Sequence, residues 1–136
     1  MIIKMNNLNL MGIIRILNKF SFVTGALGYA INKTKRKMIV EAQIFEEERM
    51  KLFEKYGEND GEGNYSVDPN TDYFPEYYKE LTSIGEEMVE IDFKQVTKEE
   101  FEATDIYNEN CSVEDYDILE ALFVQPHLND DSEEVR

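Results

Sequence analysis

The sequence predicts a mostly helical α+β fold, with one long central helix, a short helix before it, a small β-sheet and two or three further short helices. Three observations support this. Apolar residues recur at helical spacing through residues 29–56, an alternating apolar segment follows at 89–93, and helix-start signals stand at Thr97 and Ser112. Residues 1–125 are long enough for a single acidic domain with its own core. The acidic tail, 126–136, is expected to be disordered.

The first helix is predicted over residues 10–20. Arg15, Asn18 and Lys19 lie on one side of this helix, opposite an apolar face. The apolar residues recur every three or four positions and are Leu10, Ile13, Ile14, Leu17 and Phe20. Charged residues interrupt each apolar run before it reaches the length of a signal peptide or a membrane span. We therefore expect a soluble, cytoplasmic protein that does not bind a membrane.

The long helix is predicted over residues 29–56 and ends at Gly57, a residue that commonly stops helices. A helix of about 28 residues spans roughly 42 Å, which exceeds what a small globule needs. Its apolar stripe repeats every seven residues, through Ile31, Met38, Phe45 and Leu52. Because a narrow stripe must be covered, these four residues are predicted to mediate self-association, giving a homodimer through residues 29–56.

Residues 58–69, ENDGEGNYSVDP, partly match the calcium-binding loop of an EF-hand. Glu58, Asp60 and Glu62 alternate and Gly63 falls at loop position 6, but position 12 is Pro69, which has no carboxylate. The more ordinary interpretation is a glycine-permitted reversal followed by a short strand at residues 64–67. A calcium-responsive module remains an alternative function.

The remaining elements follow from local signals. Pro75 is suited to the first turn of a helix that ends at Gly85, and the alternation of Val89, Ile91 and Phe93 predicts a strand.

Two capping boxes predict the last helices, one at Thr97 with Glu100 and one at Ser112 with Asp115. The second of these helices should bury Tyr116, Leu119, Leu122 and Phe123 and stop before Pro126.

Charge is distributed unevenly along the chain. The sequence has 14 Lys and Arg against 29 Asp and Glu, a formal net charge of −15. Residues 1–57 carry ten basic and five acidic side chains, net +5, whereas residues 58–136 carry four and 24, net −20. Such a charge opposes direct binding of nucleic acid and fits a partner with a basic surface, or a protein that is merely very soluble.

The residue inventory argues against an enzyme. The chain has one cysteine, Cys111, and one histidine, His127, so no Cys–His or Ser–His–Asp site and no structural zinc site is expected. Neither G-x-S-x-G nor a phosphate-binding glycine loop occurs, and Gly25-x-x-Gly28 is better explained as an adjustment at the start of a helix. We predict no catalytic residue, cofactor or metal.

The candidate partner-binding residues are acidic side chains and tyrosines of the latter half. Tyrosine provides a large contact area at low entropic cost, and carboxylates match a basic surface. The predicted set is Asp72, Tyr73, Tyr77, Glu86, Glu87, Glu99, Glu100 and Asp115. The basic cluster Lys33–Lys37 is interpreted as a solvent-facing helix flank.

The order of four segments resembles a family of small, uncharacterised proteins encoded by tailed phages and prophages of Gram-positive bacteria. The segments are FEEERMKLFEKYGE at 45–58, DGEGNYSVDP at 60–69, EEMVEIDFKQV at 86–96 and SVEDYDILEALF at 112–123. The resemblance implies a phage gene product made in a bacterial cytoplasm, with no catalytic residues to transfer. Such products are often inhibitors of host enzymes or defence systems, or helpers in virion assembly.

Together these features predict a non-enzymatic interaction protein. The leading hypothesis is an inhibitor that masks a basic surface of a host nucleic-acid-handling or defence protein, for example a CRISPR effector, because clustered carboxylates imitate a phosphate backbone. The alternative is an oligomeric scaffold or chaperone in phage assembly.

Overall fold

The computed structural model describes residues 1–59 and 61–126. Its helices and strands, in chain order, are β1 (Ile2–Asn6), α1 (Asn7–Asn18), α2 (Gly25–Tyr56), β2 (Glu58–Asn59), β3 (Tyr65–Ser66), α3 (Phe74–Glu86), β4 (Met88–Asp92), α4 (Lys98–Glu102) and α5 (Val113–Phe123). This is the predicted mostly helical α+β fold with a long central helix. Of the tail predicted to be disordered, 126–136, residues 127–136 lie outside the described residues.

The described residues form two small antiparallel sheets, one that joins distant parts of the chain and one that is local. β1 pairs with β4 in a register that places Ile3 opposite Ile91 and Met5 opposite Val89. β2 and β3 form a hairpin. The strand at β4 was predicted, whereas β1 was not.

The first helix begins earlier than its apolar pattern indicates. The side chain of Asn6 caps α1 by accepting a hydrogen bond from the backbone N–H of Asn9, 2.8 Å away. The helix therefore starts at Asn7, directly after β1, and the same residues that end the sheet begin the helix.

The start of α2 depends on two glycines. Gly25 has φ +74°, a left-handed conformation that favours glycine. At Gly28 a Cβ atom would lie 2.2 Å from the carbonyl oxygen of Val23, so a side chain there has no room. The pair thus adjusts the backbone where the helix begins, as predicted, and α2 starts four residues before the apolar pattern that predicts it.

The segment after α2 is a hairpin and not a helix–loop–helix. Gly61 and Gly63 have φ of +86° and +87°, and the side-chain oxygen of Asn59 accepts a hydrogen bond from the N–H of Gly61 at 2.8 Å. The next helix begins only at Phe74. The described residues on either side of position 60 therefore form the glycine-permitted reversal that the ordinary interpretation predicts. Asp60, one of the three alternating acidic residues, lies outside the described residues.

The core lies between the inner face of α2, the β1–β4 sheet and α5. Phe93, just after β4, packs edge-on against Phe123 of α5 with ring centroids 5.5 Å apart. Thr34 on α2 is fully buried, and its hydroxyl oxygen accepts a hydrogen bond from the backbone N–H of Lys94 at 3.0 Å. This bond fixes the end of the sheet to the long helix.

The stripe predicted for self-association lies on the buried face of α2. Ile31, Met38, Phe45 and Leu52 are each at most 8 % exposed, because other elements of the same chain cover them. A second copy cannot reach these four side chains in this conformation. The seven-residue repeat marks the side of the helix that faces its own core.

Candidate partner-binding surface

The eight residues predicted to bind a partner lie in separate places. Asp72 and Tyr73 immediately precede α3, whereas Glu86 and Glu87 lie at its far end. A helix of 13 residues is about 20 Å long, so these two pairs are separated by roughly that distance. Glu99 and Glu100 lie on α4, and Asp115 lies on α5. The structure does not bring the set together as one surface.

Tyr77 is a core residue and is not available to a partner. The residue is 8 % exposed, and its ring packs against Phe53 and Tyr56 of α2, with centroids 6.2 and 5.8 Å away, and against Phe74. Aromatic contacts of this kind hold α3 onto the C-terminal half of α2. Tyr73 remains on the surface, although it also stacks on Tyr56 at 5.9 Å.

Asp115 is also buried, because it caps a helix. Its carboxylate accepts a hydrogen bond from the backbone N–H of Ser112 at 3.0 Å and another from the Lys19 ammonium at 2.9 Å. The Ser112 hydroxyl in turn accepts from the N–H of Asp115, which completes the predicted capping box. The Ser112 backbone bond, followed by Lys19, lowers the pKa of the Asp115 carboxyl. Asp115 therefore ties α5 to the end of α1 and is not a recognition residue.

A second acidic side chain, that of Glu80, forms hydrogen bonds at the contact between α2 and α3. The Tyr56 hydroxyl donates a hydrogen bond to Glu80, and Lys55 lies 3.3 Å from the same carboxylate oxygen. The Tyr56 bond, followed by Lys55, lowers the pKa of the Glu80 carboxyl. These contacts hold the C-terminal end of α2 against α3.

Three other acidic residues line a cleft where α1, α2, α3 and β4 meet. The cleft has a volume of about 240 Å³. Its polar lining residues are Asn7, Glu41, Glu48 and Glu87, and its apolar lining includes Ile44 and Met88. Ile44 and Met88 are both more than half exposed, so apolar surface lies beside the carboxylates. No basic side chain lines this cleft.

Asn7, which lines the cleft, has an unpaired side-chain oxygen that is closed to solvent. Its side-chain N–H donates to the carbonyl oxygen of Ile84 at 2.8 Å, and its backbone N–H donates to that of Glu87 at 3.1 Å. The side chain is thus fixed, yet its Oδ1 atom has no hydrogen-bond partner although the residue is only 7 % exposed. Among the described residues this is the one buried side-chain polar atom without a partner. An unpaired buried acceptor costs about 1–3 kcal/mol.

The carboxylates of the cleft differ in whether they form an ion pair. Glu48 is within 2.7 Å of the Lys51 ammonium, an i,i+3 pair on α2. Glu41 and Glu87 make no ion pair with any of the residues described. Two carboxylates that form no ion pair therefore line a space of this size. Chemically, the arrangement can accept hydrogen bonds from a cationic donor.

Sequence reasoning found one of these residues and missed two. Glu87 belongs to the predicted set, whereas Asn7 and Glu41 do not. Glu41 and Glu48 are seven residues apart with Ile44 between them, and this spacing places all three on one flank of a helix. That spacing is the signal from which the α2 side of the cleft could have been found.

The chain also has a larger apolar groove between α1 and α5. Its volume is about 880 Å³, and its lining includes Leu8, Ile13, Ile16, Ile118 and Leu122. Arg15 and Lys19 lie at this groove as well. The groove therefore offers apolar surface, with two basic side chains beside it, to another chain.

No known protein family, curated protein or solved structure matches this chain. The resemblance to phage-encoded proteins accordingly remains a prediction. Within the described ranges, no group of three or more His, Cys, Asp or Glu side chains is arranged to hold a metal ion. None of the helices described in these ranges combines the length and the hydropathy that crossing a bilayer requires.

Proposed function

We propose that this protein is a non-enzymatic interaction protein that binds a basic surface on a nucleic-acid-handling or defence protein in the cytoplasm of a bacterial host. The observation on which the proposal rests is the cleft at Asn7, because carboxylates that form no ion pair lie there beside exposed apolar surface and no basic side chain lines it. The net charge of −15 supports the same kind of partner. The phage resemblance supports a host defence protein, such as a CRISPR effector, as the target.

Carboxylates elsewhere on the surface also support this proposal. Glu86 and Glu99 are exposed and form no ion pair within the described part of the chain. Unpaired surface charges of one sign attract an oppositely charged partner and raise its association rate, an effect that salt weakens. In this proposal, the spread charge accelerates encounter and the cleft holds the partner.

The test is affinity capture from host lysate with the wild-type protein and two charge-reversed variants. Glu41→Lys with Glu87→Lys reverses charge at the cleft, and Glu54→Lys with Glu109→Lys makes the same change elsewhere. We expect the wild type to retain a nucleic-acid-handling protein that added duplex DNA or raised salt releases, and the cleft variant to retain far less than the control. If neither salt, nor DNA, nor either pair of substitutions changes the amount of captured protein, the proposal is contradicted.

The second candidate function is a self-assembling scaffold, and the groove between α1 and α5 favours it. Arg15 at the groove is exposed and makes no ion pair with a described residue, whereas Glu114 and Asp117 on α5 are exposed acidic side chains. In the proposed two-fold contact, the α5 acids of one copy pair with Arg15 of the other. The occupant proposed for this groove is thus a second copy of the chain.

Light scattering tests this candidate with Ile13→Glu in the groove and Val40→Glu as the control. Val40 is an exposed apolar residue of α2 outside the groove. We expect the wild type and the control to be oligomeric and Ile13→Glu to be monomeric. A wild-type protein that is monomeric at about 100 μM would remove self-assembly.

A further inference from the structure

The outer face of α2 has a second regular stripe of side chains, opposite the stripe that faces the core. Its members follow one another at alternating spacings of three and four residues, and all of them are exposed. They are Lys33, Arg36, Val40, Gln43, Glu47 and Met50. A mean spacing of about 3.5 residues is the repeat with which two helices pack along their length. The stripe therefore marks a face that fits a second helix.

This outer face is open to solvent and contains apolar side chains. A shallow depression of about 690 Å³ runs along it, and each residue that lines the depression belongs to α2, from Ile39 to Glu54. Val40 and Met50 are 57 % and 43 % exposed. Apolar surface in the middle of the longest helix is thus accessible to another chain.

The charge of α2 changes sign along its length. Residues 29–40 include four basic side chains and no acidic one, whereas residues 41–54 include five acidic and two basic side chains. Two copies of α2 packed in parallel would place like charges side by side. Antiparallel packing places the basic half of each copy against the acidic half of the other, and it also opposes the two helix dipoles. The face is therefore complementary to itself about a two-fold axis, the commonest symmetry of protein dimers.

One antiparallel register pairs the members of the stripe. The two-fold axis then lies level with the peptide bond between residues 41 and 42. Arg36 of one copy lies opposite Glu47 of the other, and Val40 lies opposite Gln43. Because of the symmetry, each of these pairs occurs twice, with the uncharged pairs in the centre and the charged pairs outside them.

Arg36 and Glu47 are the charged side chains that remain available for this contact. Neither forms an ion pair with a residue that the structure describes. Their neighbours make contacts within the same chain instead. The Lys37 ammonium donates to the last carbonyl oxygen of β4 at 3.0 Å, and the Glu46 carboxylate accepts from Arg49 at 2.8 Å. A second copy would supply both Arg36 and Glu47 with an oppositely charged partner.

We propose that the protein forms an antiparallel homodimer through the outer face of α2, in which Arg36 of each copy pairs with Glu47 of the other. This dimer uses the helix predicted to self-associate, but the opposite face of it. No residue of the stripe lines the cleft at Asn7 or the α1–α5 groove, so the contact is distinct from both. Since α2 is already folded against its own core, dimerisation has to order side chains only, which keeps its entropic cost low.

The first experiment exchanges the charges of the pair and measures the dimer dissociation constant by sedimentation equilibrium. Arg36→Glu alone, or Glu47→Arg alone, places like charges opposite each other at two points of the contact. We expect each of these variants to dimerise at least about tenfold more weakly than wild type. The double variant restores opposite charges and should return to within about threefold of wild type.

Matched controls make the same charge changes outside α2. Lys79 lies on α3 and Glu109 lies in the segment before α5, and both are exposed. Lys79→Glu and Glu109→Arg should each dimerise within about twofold of wild type, because their charges lie outside the contact.

The outcomes distinguish this dimer from the other contacts. A wild-type protein that is monomeric at about 100 μM, or an Arg36→Glu variant that dimerises as well as wild type, would overturn the dimer and leave the proposed binding of a basic partner standing. A double variant as weak as the single variants would overturn the pairing of Arg36 with Glu47. The groove contact requires Ile13→Glu to dissociate and Val40→Glu to stay oligomeric; the α2 dimer requires the opposite, and the first pattern would overturn it.

A second measurement gives the direction of the two helices. A nitroxide label is attached at Asn32→Cys in a Cys111→Ser background, and the distance between the two labels is measured by double electron–electron resonance. In the proposed register residue 32 of one copy lies level with residue 51 of the other, so we expect the labels to be about 30 Å apart at a rise of about 1.5 Å per residue. A distance near 10 Å, which parallel helices would give, would overturn the antiparallel arrangement.

Discussion

Replacing Thr34 by valine tests whether one hydrogen bond holds the end of the β1–β4 sheet against the long helix. Thr34 is fully buried on α2, and its hydroxyl oxygen accepts from the backbone N–H of Lys94 at 3.0 Å. Valine preserves the branched shape and removes the acceptor. The Lys94 N–H would then face a methyl group.

The magnitude follows from the environment of the two groups. Leaving a buried donor unpaired costs about 1–3 kcal/mol. Because Lys94 itself is exposed, water can reach part of the way to its N–H, and we expect the lower part of this range, about 1–2 kcal/mol. With a urea m-value of about 2 kcal/mol/M, the unfolding midpoint should fall by roughly 0.5–1 M.

Thr34→Ser serves as the matched control. Serine keeps the hydroxyl and loses one buried methyl group, which costs about 1 kcal/mol. The two variants thus differ little in stability, but hydrogen exchange separates them. The Lys94 amide should stay protected in Thr34→Ser and exchange faster in Thr34→Val. A Thr34→Val protein with an unchanged urea midpoint and an unchanged Lys94 exchange rate would refute this reasoning.

Two further predictions concern the start of α2 and the cap of α5. Gly28→Ala should destabilise the protein by about 3 kcal/mol, because the new Cβ atom would lie 2.2 Å from the Val23 carbonyl oxygen. Gly12→Ala, whose Cβ atom would have no neighbour closer than 3.9 Å, should stabilise α1 by about 0.5–1 kcal/mol. Thermal unfolding that gives both variants a stability change of the same sign would contradict this. The lowered pKa of Asp115 stabilises the fold above the ordinary carboxyl pKa of about 4, and this stabilisation is lost as pH falls through the lower folded pKa. Asp115→Asn should accordingly be less stable than wild type at pH 7 and approach it near pH 2, and a stability gap that stays constant with pH would argue against the assignment.

The helices were predictable because their signals are local. The apolar stripe of α2, the stop at Gly57 and the capping boxes at Thr97 and Ser112 each depend on residues within one or two turns. Both capping boxes form with their reciprocal hydrogen bonds. Tertiary contacts shift the boundaries by a few residues and leave the elements unchanged.

The strand β1 and the partner of the α2 stripe were not predictable in the same way. β1 becomes a strand because β4, more than 80 residues away, supplies its hydrogen bonds. The residues of β1 have no clear alternation of their own, and they lead directly into a helix. The seven-residue repeat of α2 shows that one face is buried, but a repeat on a single helix does not specify which surface covers it.

The candidate site shows the same limit at the level of single residues. Glu87 belongs to the predicted set because it is acidic, whereas Asn7 is notable because its Oδ1 atom has no hydrogen-bond partner. Its side chain is held by Ile84 of α3, a contact between residues 77 positions apart. The unpaired oxygen appears only when α1, α3 and β4 are in place, and no pattern in the sequence indicates it.

The separation of the acidic residues limits what the overall charge can do. Asp72 and Glu87 lie near opposite ends of α3, roughly 20 Å apart, while the Debye length at physiological salt is about 8 Å. Carboxylates this far apart are screened from one another and cannot act as one binding surface, although their sum still attracts a basic partner at low salt. In the proposed complex, contacts inside the cleft would be screened much less, because a bound partner displaces water from between the charges. Raising the salt should therefore slow association strongly, while the dissociation rate should respond mainly to changes at Glu41 and Glu87.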